Sequence, residues 1–194
     1  HKKFGEAIGI LAGDALLALA FEELAKLIQR RVPADRVAEA QRVLARAAGS
    51  RELVGGQVLD LAAEGKRVDG TRVRDIHRRK TGALIGAALV LGGLVGGAPA
   101  RRLKWLERMG RDLGLAFQIH DDLMNRASSL ARLGKRAGTD DARGKATYPR
   151  AVGVERARSD AARLYLDTLT RIERLGPKAM HLGLLVIAVA EREN

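Results

Sequence analysis

Two aspartates, Asp121 and Asp122, stand inside the otherwise apolar stretch FQIHDDLMN, where an unpaired charge is costly to bury. On a helix of 3.6 residues per turn they fall on one face with Gln118 and Asn125, so two carboxylates and two amides reach a common point. Ligands that are all oxygen suit Mg²⁺, which keeps several waters and bridges protein carboxylate to substrate phosphate. A lone Asp-Asp pair is more often a solvated acidic pair, but here the apolar flanks and a set of basic residues argue for a ligand. Lys80 and Thr81 lie midway along a helical pattern just before an apolar run, where a buried lysine needs an anion. Lys135 and Lys145, in GKRAGTDDARGKATYP, each follow a glycine that lets backbone approach a phosphate closely. Glycine-lysine pairs are common in surface turns. The combination of an acidic helix face, a following loop and three such lysines is not.

Gln57 and Asp60 are spaced to share a helix face, either toward the same cavity or as ordinary helix polarity. Asp14 reads as a capping or locally paired carboxylate. The four histidines, His1, His77, His120 and His181, show no metal-ligand spacing and read as structural or solvated. No Ser-His-Asp or thiol arrangement is present in the sequence.

The elements that must position these groups read as helices throughout. Apolar spacing predicts a first, amphipathic helix over about 4–29, stopped by Arg30, Arg31 and Pro33, and a second over 34–48. A third carries LVGGQVLDL and ends at Gly65, and a fourth runs from Asp69-Gly70-Thr71 through the apolar run 83–98. A fifth long helix starts near Pro99 and carries the two aspartates. Residues 128–147 read as a loop too long for a simple connector, followed by helices over 154–175 and 177–191.

The 194 residues are 46% hydrophobic but only 3% aromatic, so Leu, Ala, Val and Ile must fill the core, which suits interdigitating helices and an all-α fold. No shift of composition divides the chain, and residues 1–194 read as a single domain. The formal net charge of +12 attracts polyanions. Basic residues are scattered among acidic ones without interleaved aromatics, which argues against nucleic acid. The run 83–98 is too short to span a bilayer and carries five glycines. The absence of Cys excludes thiolate metal sites and fits a reducing compartment, with cytoplasm as the default. The opening His1, already close to a helix, suggests a chain that lacks its N-terminal helices.

Taken together, ILAGDALLALAFE, LVGGQVLDL, IHRRKTGAL, GLAFQIHDDLMN and GKRAGTDDARGKATYP resemble, in order and spacing, the trans-isoprenyl diphosphate synthases, or polyprenyl synthetases. The resemblance covers essentially the whole chain. It implies the isoprenoid synthase fold, a bundle of long helices around a central apolar cavity, and a homodimer. The implied reaction condenses isopentenyl diphosphate with an allylic diphosphate, with Mg²⁺ as cofactor. Asp121 and Asp122 then match the start of the second Asp-rich motif, which binds the metal. Lys80, Thr81 and Gln118 match positions that contact the allylic substrate and its diphosphate, Lys135 and Lys145 match basic positions that close over it, and Asp60 matches a carboxylate near the metals. The implied catalytic set is Lys80, Thr81, Gln118 and Asp121. Two departures stand out. The first Asp-rich motif belongs upstream of His1, and Asn125 stands where the second motif normally ends in Asp. A non-catalytic, diphosphate-binding partner subunit of such a synthase is the second reading.

Overall fold

The computed structural model describes residues 1–133 and 144–192. Its order is α1 (Glu6–Lys26), α2 (Ala34–Ala48), α3 (Leu53–Ala63), α4 (Gly70–His77), a π-helical turn (Arg78–Gly82), α5 (Ala83–Val95), α6 (Ala100–Leu133), α7 (Tyr148–Val152), α8 (Val154–Glu173), a 3₁₀ turn (Pro177–Ala179) and α9 (Met180–Ala190). No strand occurs among the described residues, and the architecture is the all-α bundle expected.

Local chemistry sets several boundaries. Asp69 caps α4, its Oδ1 accepting from the Arg72 N–H at 2.8 Å. Beyond α3, Gly65 turns left-handed at φ 72° and donates its N–H to the Gly144 carbonyl at 2.9 Å, fastening the chain before α7 to the end of α3. Two expectations need correction. The helix bearing the aspartates continues to Leu133, past the expected loop start at 128. And α1 is not amphipathic: it buries no residue, and Ile8, Ile10, Leu11, Leu16, Leu17 and Leu19 are all exposed. Its apolar side chains are spread around the helix instead of forming one stripe, and only its C-terminal end, through Leu24, packs on the core of α2 and α5.

Helix α6 is the spine. Its Met109, Leu115, Ala116 and Ile119 pack with Val73 and Ile76 of α4 and with Ala157, Ala161, Leu164 and Tyr165 of α8. Fully buried side chains such as Ile76 and Ile119 each contribute about 1.5–3 kcal/mol from burial. A smaller core joins Ala40 of α2 to Val90 and Leu94 of α5. Between α5 and α6 the contact is made by backbone. A Cβ at Gly110 would lie 2.5 Å from the Gly86 Cα, one at Gly82 would lie 2.9 Å from the Arg111 carbonyl oxygen, and one at Gly114 would collide with the Gly82 backbone.

A polar anchor ties α4, α7 and α8. Asp160 is 2% exposed and accepts from Arg74 (2.9 Å), the Tyr148 hydroxyl (2.9 Å), Arg156 (3.0 Å) and Arg163 (3.2 Å). Burial works to raise its pKa, but hydrogen bonds from Arg156, Tyr148 and Arg163 and the Arg74 charge outweigh burial and hold the carboxyl at about 2. A depressed pKa means that the stabilisation is complete above the ordinary carboxylate value near about pH 4 and is lost as pH falls toward 2. Asp160→Asn should therefore lower stability at neutral pH by about 3 kcal/mol, the usual cost of stranding partners of a buried ion pair. In urea unfolding, the gap to the wild type should close on acidification between pH about 4 and about 2; a gap independent of pH would contradict this account.

Candidate active site

Lys80 and Thr81 sit in the π-helical turn, the one place where the helical path from Gly70 to Val95 is widened by an extra residue. Such turns re-aim side chains that an unbroken α-helix would direct elsewhere. Gly56 of α3 presses on this turn so closely that a Cβ there would collide with the Lys80 backbone nitrogen. That approach brings Asp60, one turn further along α3, to the lysine, and Lys80 Nζ donates to Asp60 Oδ2 at 2.6 Å. Both side chains are largely buried, at 29% and 14% exposed. On the other side, the glycine seam places Thr81 against α6, where its hydroxyl donates to Gln118 Oε1 at 2.9 Å. Three elements thus deliver Asp60, Lys80, Thr81 and Gln118 to one locus.

The aspartate pair divides. Asp121, three residues beyond Gln118, is 36% exposed; its Oδ1 accepts from Arg192 Nη2 at 2.7 Å and its Oδ2 from Asn125 Nδ2 at 3.4 Å. Asp122 is buried, and its Oδ2 accepts from the Tyr148 N–H at 2.8 Å and lies 3.0 Å from His77 Nε2. The sequence reading put both carboxylates on one ligand face. The 100° step between consecutive helix residues instead turns Asp122 toward α4 and the start of α7. Asp122 thus stands as the partner of His77 and of the Tyr148 N–H. Among the histidines, His77 has a buried partner, which fits the structural reading.

The remaining candidates are placed as follows. Lys145 follows Gly144, whose carbonyl is bound to Gly65 at the end of α3, so it stands near the helix that bears Asp60. Lys135 lies outside the described residues. Asp14 is exposed on α1. Sequence reasoning did not single out Arg192 or Tyr165. Arg192 stacks over the Phe117 ring at 4.3 Å while it binds Asp121. Burial raises the Tyr165 phenol to about 12, against the lowering effect of the Arg192 charge, and Asp121 adds to the rise. Tyr165 Oη, His120 Nε2 and Arg192 Nε are buried without a hydrogen-bond partner among the described residues. Only an ERE triplet near the end of the chain could have drawn attention to Arg192.

Among the described residues no group of three His, Cys, Asp or Glu is assembled as a metal cage. What Asp121 offers is a hard oxygen donor on a helix face shared with the amides of Gln118 and Asn125, whose Oε1 and Nδ2 bind Thr81 and Asp121 respectively in this structure. Such a donor fits a Mg²⁺ that takes one or two carboxylates and completes its shell with water and phosphate. A separate cleft of about 260 Å³ between α2, α5 and α6 is lined by Val43, Ala87, Val90 and the paired Glu52 and Arg111, and shares no residue with this locus.

In the helical bundle a lysine, a hydroxyl, an amide and a carboxylate thus converge beside the longest helix. The chain belongs to the polyprenyl synthetase family, whose model matches residues 1–175. It is 42% identical over 200 aligned residues to geranylgeranyl pyrophosphate synthase 11, chloroplastic, of Arabidopsis thaliana, covering 100% of this chain and 56% of that protein. It is 44% identical over 187 residues to farnesyl diphosphate synthase of Escherichia coli, covering 95% of this chain and 62% of the relative. The crystal structure of a geranyltransferase from Helicobacter pylori complexed with magnesium and isoprenyl diphosphate superposes with a TM-score of 0.76 at 28% identity, over 97% of this chain and 61% of that one. The chain spans little more than half the length of these relatives.

The seam that positions Thr81 makes a test with two signs. Gly114→Ala gains about 1 kcal/mol of helix propensity but must push the π-helical turn off α6, for a net loss of about 1–3 kcal/mol. Gly13→Ala on exposed α1, where an added Cβ meets nothing within 4 Å, should instead stabilise by up to about 1 kcal/mol. Thermal unfolding reads both; equal shifts in the two variants would contradict the seam.

Proposed function

We propose that the chain is the larger part of a trans-prenyltransferase that condenses isopentenyl diphosphate with an allylic diphosphate to give a longer all-trans polyprenyl diphosphate. The observation that carries the reading is the Thr81–Gln118 hydrogen bond. It locks the lysine-bearing turn to the stretch of α6 that carries Asp121, which supports a common site for anion and cation.

In this reading the allylic carbon-oxygen bond breaks heterolytically, the isopentenyl double bond attacks the resulting cation, and a proton leaves. Lys80 stabilises negative charge gathering on the departing pyrophosphate, aided by Lys145 and Lys135 from the chain after α6. Bound Mg²⁺ would supply further positive charge there, held by Asp121 with Asn125 as a peripheral ligand. Thr81 gives its proton to Gln118, so the threonine oxygen keeps lone pairs free to face the cation without a covalent trap. Asp60 holds the Lys80 ammonium in place before substrate arrives. Asp122 acts at one remove, fixing the start of α7 through Tyr148.

In this reading the chain acts as one domain. The bare apolar sides of α1 support a homodimer, with the second copy covering one of them. No helix among the described residues is long and apolar enough to cross a membrane, and the Cys-free sequence leads us to place the protein in the cytoplasm. The second reading, a diphosphate-binding partner subunit without turnover, is favoured by Asn125 in place of Asp and by the occupation of both Asp121 oxygens.

Product formation by the complete protein from an allylic diphosphate and labelled isopentenyl diphosphate, across a Mg²⁺ titration, separates the two. Activity is expected with Asn125, and Asn125→Asp should change the apparent Mg²⁺ affinity by less than about tenfold, since a directly ligating carboxylate would matter far more. Inactivity that Asn125→Asp repairs would establish the partner-subunit reading instead. In calorimetry, Mg²⁺ and pyrophosphate should bind jointly, and Lys80→Ala should weaken pyrophosphate about tenfold or more with helix content unchanged. Pyrophosphate binding that is indifferent to both chelation and Asp121→Ala would sink the metal bridge.

A further inference from the structure

Arg192 is committed in a way that leaves its guanidinium half used. One edge donates from Nη2 to Asp121 Oδ1 at 2.7 Å, and the flat face lies on Phe117 at 4.3 Å. Nε is buried and donates to nothing among the described residues. A buried N–H without an acceptor costs about 1–3 kcal/mol, so this geometry is poorer than the residue could achieve with an acceptor spanning both nitrogens. Phosphate oxygens have that spacing, and arginine meets them through two parallel N–H bonds. Nearby, the Tyr165 hydroxyl is also buried without a partner, and burial keeps its proton on. Two unused donors therefore stand beside the carboxylate that the proposed function assigns to Mg²⁺.

The same ion pair obstructs that carboxylate. With Arg192 on Oδ1 at 2.7 Å, a cation that takes Asp121 meets the positive charge of the guanidinium, which favours its withdrawal. Arg192 follows the end of α9 and is one-third exposed, so it can swing without unpacking a helix.

We propose that Arg192 is a diphosphate-binding residue that rests on Asp121 when no ligand is present and exchanges that carboxylate for phosphate as the cation takes its place. The proposal rests on the prenyltransferase reading of Asp121. It makes the two ligands mutually dependent: the cation releases the arginine to the anion, and the anion holds the arginine away from the cation's carboxylate.

The test is calorimetry on the full chain with MgCl₂ alone and with inorganic pyrophosphate at saturating MgCl₂. Arg192→Gln should tighten Mg²⁺ alone by about tenfold, because its competitor is gone, and weaken pyrophosphate by about tenfold. Arg192→Lys keeps the competing charge but loses the two-pronged geometry, so it should leave Mg²⁺ near the wild-type value and still weaken pyrophosphate. These opposite signs cannot come from a strut or a misfolded variant, which would weaken both ligands. Weakening of both, or a change in neither, overturns the exchange while leaving the metal site standing, provided that Asp121→Ala abolishes Mg²⁺ binding. If Asp121→Ala binds Mg²⁺ as the wild type does, the metal reading itself fails, and the exchange with it.

Discussion

The contact on which the site depends is the approach of two helices without side chains between them. Gly82 and Gly86 recur at the spacing of one helical turn, as do Gly110 and Gly114, and the two pairs face each other across α5 and α6. Helices separated by ordinary side chains hold their axes about 8–10 Å apart. Here backbone lies on backbone, and the Thr81 hydroxyl reaches Gln118 directly. Gly56 repeats the device from the other side and lets α3 bring Asp60 under Lys80. The glycines cost conformational entropy within helices, which the chain would not carry without a need for proximity.

Asp121 and Asp122 show how one helix serves both chemistry and architecture from adjacent positions. Asp122 joins the chain returning toward α7 by accepting the Tyr148 N–H, and the Tyr148 hydroxyl continues inward to Asp160, which also takes Arg74 from α4. The polar network thus passes from α6 through α7 to α8 and α4 in a few bonds, and its members are buried enough that each needs the others. Asp121, one step around the helix, escapes that network and is left for partners that can change. The rigidity beside it is a reason it can be positioned without being consumed by structure.

The helices were largely legible because apolar periodicity is a local signal. The second helix falls on its predicted bounds, and Asp69 marks the start of α4 by its own chemistry. The π-helical turn was not legible, since α5 beyond it is apolar on all sides and a shift of phase by one residue leaves no mark there. Nor was the continuation of α6 to Leu133, because the polar residues after 127 are as compatible with an exposed helix as with a loop. At the site, periodicity identified a face containing Gln118 and Asp121 but could not say what stood opposite. His77 and Asp122 are 45 residues apart, and Arg192 and Asp121 are 71 apart; no spacing rule connects them. Family resemblance supplied residue types for the site, and only the packing supplied their partners.

Those partners give meaning to a net charge of +12 that does not otherwise read as a nucleic-acid surface. Carboxylates at or near the site already hold cations of the chain: Asp60 has Lys80, Asp121 has Arg192, and Asp112 further along α6 has Arg78 and Arg171. A diphosphate arriving alone must compete with Asp60 for Lys80, and a metal arriving alone must compete with Arg192 for Asp121. Each competition carries a desolvation cost that a half-filled site does not return. In the proposed function anion and cation arrive together: the lysine and arginine turn to phosphate while the metal takes Asp121, and Asp60 is the one carboxylate that gives up its cation. The internal ion pairs thus keep the ligand-free bundle stable, and in the proposed function they make a metal diphosphate the preferred ligand over either ion separately.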